Sequence, residues 1–180
     1  MRKTKKITLA SLCAALATVF LSVGMIIGVM DMTAALLASF IVLFCFLEMG
    51  YRYALAVFGV TAALSLVLMP NASSSWMFLL LFGYMPISKF GFERLCKKFV
   101  PLAWILKLIV FNAVYALMIF ALGELLGFTV ENSFGFSPQA IVIAFFAVGN
   151  LVYIACDVLY GRLARIYLIR FRERLIRYLK

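Results

Sequence analysis

Four side chains lie deep inside otherwise apolar sequence and could do chemistry there: Lys107, Asn112, Asn150 and Asp157. Ionisable and amide groups are expensive in hydrocarbon and persist where they have a partner or a task. Lys107 and Asp157 fall at similar depth in two neighbouring apolar stretches, so an ion pair between them would lower the cost of both. Its functional version is a coupling-ion or proton site; its structural version is an inter-helix pair that satisfies buried charge. Asn112 and Asn150 can bond across the same two helices. Other chemistry lacks its parts. The chain has no histidine, which removes a zinc-protease pair and a serine–histidine dyad. Asp31 and Asp157 stand most of a membrane apart, whereas an aspartyl mechanism needs two carboxylates in one site. No glycine-rich phosphate loop occurs. The sequence therefore predicts no enzyme, no cofactor and no metal site. Cys13, Cys45, Cys96 and Cys156 have no zinc spacing and read as reduced thiols.

The elements that hold these residues are six apolar spans. Of 180 residues, 67% are hydrophobic and 13% charged, against about a quarter charged in soluble domains. No soluble fold of this size could hide that much apolar surface. The spans are expected at 7–27, 32–50, 53–69, 74–90, 101–126 and 138–160, forming one all-α bundle. Asp31 or Thr33 is placed to cap the second span, and the serines after Pro70-Asn71-Ala72 to cap the fourth. Pro86 should kink the fourth. Pro101 and Ser137-Pro138 open the fifth and sixth. The first span runs on past Ala15-Leu16-Ala17, too long for the apolar core of a signal peptide, so it is expected to stay uncleaved.

Charge orients the bundle. With the N-terminus inside, the inner segments Arg2–Lys6, Glu48–Tyr53, Lys89–Val100 and Gly161–Lys180 hold sixteen of the seventeen cations. The exception, Lys107, can snorkel to the inner surface. The outer segments hold Asp31 and Glu131 and no cation. The positive-inside rule then places both termini in the cytoplasm of a cell-membrane protein. Residues 162–180 form a basic amphipathic tail, with Leu168, Phe171, Leu175 and Leu179 on one stripe. It is expected to rest on anionic lipid at the inner leaflet rather than on nucleic acid.

The first span also carries small residues at helical spacing, Ala10 with Ala14, extended by Ser11 with Ala15 and Ala14 with Thr18. Such faces let another helix approach closely in lipid. The basic start followed by Ile7-Thr8-Leu9-Ala10-Ser11-Leu12-Cys13-Ala14-Ala15-Leu16, then six spans with both ends inside, resembles the substrate-binding S-components of energy-coupling factor transporters. Met30-Asp31-Met32-Thr33 at the second span resembles that family too. The resemblance covers the whole chain in layout and mainly its first third in residues. It implies that Ala10 and Ala14 dock on a transmembrane coupling subunit served by two ATPase subunits, and that the chain binds a small molecule from outside. The substrate signatures of the riboflavin, thiamine and biotin members are missing.

A pocket of that kind belongs in the outer half, where Asp31, Asn71, Trp76, Tyr115, Glu124, Asn132 and Ser133 are the polar or aromatic candidates. Trp76 and Tyr115 could stack on a flat ring; Trp76 could equally mark the membrane interface. The outer half has no Lys, Arg or His, so a neutral, cationic or largely apolar ligand is easier to hold than an anion. The alternative function is a non-transport accessory or assembly protein that grips a partner through the same small-residue face. A stand-alone channel ranks third, because no polar stripe lines a pore.

Overall fold

The computed structural model describes residues 3–95, 100–125 and 138–171, with side chains described for all of these except 95, 100, 119–125, 138–141 and 171. Every regular element among them is helical. In chain order these are α1 (Lys3–Ile27), α2 (Asp31–Met49), α3 (Tyr51–Leu68), α4 (Ser73–Met77), a π-helical turn (Phe78–Phe82), α5 (Met85–Leu95), α6 (Val100–Leu125), α7 (Pro138–Ile166) and a second π turn (Tyr167–Phe171). Five helical stretches, Lys3–Ile27, Asp31–Met49, Tyr51–Leu68, Pro101–Met118 and Val142–Arg170, are long and apolar enough to cross a membrane. A helix rises about 1.5 Å per residue, so even the shortest of them comes close to the ~30 Å of a hydrocarbon core. Large apolar side chains stand exposed along α1, α6 and α7, among them Leu12, Ile109 and Leu151. Together these features make the chain a multi-pass membrane protein.

The helices alternate in direction. Lys6 Nζ lies 5.7 Å from the Tyr53 ring, and Tyr167 Oη donates to Glu48 Oε1 at 2.9 Å. The starts of α1 and α3 and the ends of α2 and α7 therefore share one end of the bundle, here the terminal end. At the opposite, far end, the Ser74 hydroxyl donates to the Leu21 carbonyl at 3.2 Å and Ser75 to Ser65 at 3.4 Å. Helix α2 is central and touches α1, α3, α4, α5 and α7. Small residues make this possible. Ala35, Ala38 and Ser39 on α2, Ala17 on α1, and Ala54, Thr61 and Ser65 on α3 are fully buried, and without large side chains the backbones can draw together. Gly24 marks the closest approach, since a Cβ there would fall 2.5 Å from the Ala34 Cβ. The α2–α3 connection is the single residue Gly50, whose φ of 92° lies where only glycine is comfortable.

Several local expectations are corrected. Asp31 and Thr33 do not cap α2: the cap residue is Met30 with no side-chain bond, and Thr33 Oγ1 donates back to the Met30 carbonyl. The serines after Ala72 do not cap α4 either. Ser74 and Ser75 are buried and spend their hydroxyls on neighbouring helices, where an unpaired hydroxyl would be costly. The fourth span is not one helix kinked at Pro86. It breaks earlier, after the π turn, at Gly83-Tyr84, and Pro86 sits in the first turn of α5, where its missing N–H is no loss. Helix α5 then continues to Leu95, so Lys89 is a buried helical residue and not part of a connecting loop. At the other terminus, α7 runs through Gly161 unbroken to Ile166. The tail beyond Phe171, Cys96 and the expected cap Ser137 lie outside the described residues.

Candidate functional site

Helices α6 and α7 run antiparallel and meet along one stripe of each. Residues four apart share a helix face, so Lys107, Phe111 and Tyr115 on α6 oppose Asp157, Tyr153 and Gly149 on α7. The contacts follow that register. Lys107 Nζ is 3.2 Å from Asp157 Oδ1, the Phe111 and Tyr153 rings stack at 4.4 Å, and a Cβ on Gly149 would lie 2.9 Å from the Tyr115 ring.

At the terminal end this stripe closes a four-member ionic cluster with α5. Lys89 Nζ lies 2.6 Å from Asp157 Oδ2 and donates to the Asp157 carbonyl at 2.7 Å. Lys107 Nζ reaches Glu93 Oε1 at 2.9 Å, and Lys89 Nζ reaches the same oxygen at 3.4 Å. Lys89, Lys107 and Asp157 are buried, whereas the Glu93 side chain is 44% exposed. Trp104 closes one side of Lys107, its ring centroid 5.2 Å from Nζ. Two ammonium groups thus share two carboxylates, and each oxygen of Asp157 takes a separate lysine. Sequence reasoning found Lys107 and Asp157 but missed Lys89 and Glu93. The signal was available in the four-residue spacing of Lys89 and Glu93, which puts them on one face of any helix begun at Pro86.

About one and a half to two turns farther along, Asn112 and Asn150 form a reciprocal amide pair. Asn112 Nδ2 donates to Asn150 Oδ1 at 3.0 Å and Asn150 Nδ2 to Asn112 Oδ1 at 2.9 Å. The remaining amide protons go to the Leu108 and Phe146 carbonyls one turn back on each helix. Bonds of this kind hold membrane helices by about 0.6–2 kcal/mol. Asn112→Leu is expected to lower stability by about that amount. The double change Asn112→Leu with Asn150→Leu should cost no more than either single one, because no amide is then left without its partner. Unfolding of the three variants in mixed micelles measures the difference.

Toward the far end the stripe opens into a cavity of about 300 Å³ between α2, the first π turn, α5, α6 and α7. One wall is aromatic: Phe111 lies between Tyr153 and Tyr115, with ring centroids at 4.4 and 5.5 Å, and Phe146 meets Tyr115 edge-on at 5.3 Å. Met32, Met77, Met85 and Met118 line the cavity as well. No charged side chain is among the lining residues. Met77, Leu81 and Met85 all line this space, with the π turn and the break at Gly83-Tyr84 between the first and last of them.

The sequence-predicted pocket residues are only partly gathered. Tyr115 lines the cavity, and its hydroxyl donates to the Phe145 carbonyl at 3.3 Å. Trp76 spends its indole N–H on the Pro70 carbonyl at 3.0 Å, bracing its own turn, while the next residue, Met77, faces the cavity. Asn71 is exposed on that turn. Asp31 opens α2 with Oδ1 buried and unbonded. Glu124 lies on α6, but its side chain, like Asn132 and Ser133, lies outside those described. Sequence reasoning missed Phe111, Tyr153 and the four methionines. On α1, Ala14 is buried and Ala10 half-buried in the side that packs into the bundle, where Cys13 touches Cys45 of α2. Thr8, Ser11 and Ala15 remain exposed on the outer side of the same helix. Comparison with protein-family models, curated proteins and solved structures finds no match for this chain.

Proposed function

We propose that this chain is the membrane-embedded binding subunit of an uptake system, capturing a small molecule and working with a separate ATP-driven energy-coupling module. The cavity of about 300 Å³ with its aromatic wall carries the reading. Its size falls at the lower edge of ordinary small-molecule sites, and like them it is mostly apolar with a few polar groups. The positive-inside rule supports six crossings, the broken Ser73–Leu95 segment being the fourth, with both termini in the cytoplasm. The cavity then belongs to the outer half, and the ionic cluster fixes α5, α6 and α7 to one another at the inner end. The resemblance to S-components of energy-coupling factor transporters, carried by the first helix and the six-span layout, supplies the coupling partner.

The exposed residues Ser11 and Ala15 are the part of the small-residue face that a partner helix can reach. Ser11→Trp and Ala15→Trp are expected to abolish co-purification with a transmembrane coupling subunit and its paired ATPases, while thermal stability of the isolated chain stays unchanged. A ligand-library melting screen completes the test, since a ligand bound only by the folded state raises the melting temperature by mass action. Partner loss without any stabilising ligand would point instead to an accessory protein that holds a partner through this face.

A further inference from the structure

Where the cavity opens says what can enter it. Phe145 and Val148 line it, yet they are 58% and 60% exposed, and Met32, also lining, is 40% exposed. Residues that are both lining and exposed form the mouth. Phe145 and Val148 sit two to three turns into α7, on a helix whose other exposed positions include Ile143, Leu151 and Ile154. This is the apolar belt of a membrane helix, so the mouth meets hydrocarbon and not water. The interior agrees. Among the described lining residues the polar side-chain groups are the Tyr115 and Tyr153 hydroxyls, with Tyr84, a neighbour of Tyr153, holding a buried hydroxyl that has no hydrogen-bond partner. Methionine walls re-pack around flexible apolar shapes more readily than branched side chains do.

Building on the cavity as the binding site, we infer that the ligand is an uncharged amphiphile already dissolved in the membrane, with a hydrocarbon body and one small hydrogen-bonding head, which enters sideways between α2 and α7. A phospholipid is disfavoured as the specific occupant, since its charged phosphate finds no cation among the lining residues. A water-soluble polyanion is disfavoured for the same reason.

The test uses the full chain in phosphatidylcholine nanodiscs and a diazirine-bearing long-chain fatty alcohol as probe, with adducts mapped by mass spectrometry. Adducts are expected on cavity residues such as Phe111, Met85 and Tyr153, and excess unlabelled alcohol should remove them. Val148→Trp plugs the mouth from an exposed position and should abolish this labelling. Leu151→Trp, 72% exposed and away from the cavity, should leave it intact. Adducts confined to lipid-facing residues such as Ile143 and Leu151 would overturn the inference. So would equal labelling of the cavity by a diazirine phosphatidylcholine, which would make the occupant an ordinary lipid tail. If a water-soluble compound from the melting screen stabilises the chain and the alcohol fails to label the cavity, the lateral-entry proposal falls and the uptake reading stands.

Discussion

Asp157→Ala will cost the folded bundle about 3–5 kcal/mol, the range found when one partner is removed from a buried ion pair. The reason lies in the geometry. Asp157 is the one buried carboxylate among the described residues, and it answers two buried ammonium groups, one on each oxygen. Without it, Glu93 alone faces both lysines from the rim of the cluster, and its side chain is 44% exposed. Lys107→Met should cost less, because Asp157 keeps Lys89 at 2.6 Å. The informative variant replaces all three buried members, Asp157→Leu with Lys89→Met and Lys107→Met. Removing the three buried charges together leaves only Glu93, whose side chain is 44% exposed and open to solvation, so most of the lost stability should return. Unfolding of the purified chain in increasing detergent denaturant, read by helix content, measures all three. Asp157→Ala stability close to the parent would mean that the cluster does not hold the helices together.

The second large effect is steric. Gly24→Leu places a Cβ where the Ala34 Cβ already stands, 2.5 Å away, with Ser74 behind it at 3.6 Å. Neither neighbour is the flexible end of a long side chain, so α1 and α2 must separate. Overpacking of this kind costs about 1–3 kcal/mol, and it would also pull Leu21 from the Ser74 hydroxyl it accepts. The milder Gly24→Ala should show a smaller loss that Ala34→Gly partly restores, because the second change removes the atom in collision. Failure of that rescue would show that α1 and α2 do not meet at this point.

The sequence made the Lys107–Asp157 contact legible because membrane spans leave a charge few choices of partner, and these two lie at matching depth. The same logic hid Lys89. A lysine beyond a proline reads as the start of a basic loop, yet helix α5 winds on and carries it inside. Pro86 misled in the same way: a proline inside an apolar run suggests a kink, but the chain had already broken at Gly83-Tyr84 and used the proline to begin again. The aromatic and methionine cavity left no sequence signature. The chain has 18 phenylalanines and 9 methionines, and in a lipid solvent the same residue types face hydrocarbon and line a site. Only the register between α6 and α7 separates Phe111, which lines the cavity, from Ile109, which is exposed. The Ser74 and Ser75 hydroxyls were misjudged as caps for a related reason. At this buried helix start their acceptors lie on neighbouring helices, at Leu21 and Ser65, where local sequence gives no sign of them.

The ionic cluster draws its members from three segments made in order, and this sets a sequence of events during synthesis. Lys89 and Lys107 leave the ribosome well before Asp157, with Glu93 as the only carboxylate of the cluster yet made. Until α7 arrives, two ammonium groups share one carboxylate, and one positive charge is in excess at the place where the helices must join. The last segment to be made therefore supplies the charge that lets the earlier ones settle, and a chain interrupted before it cannot complete the assembly.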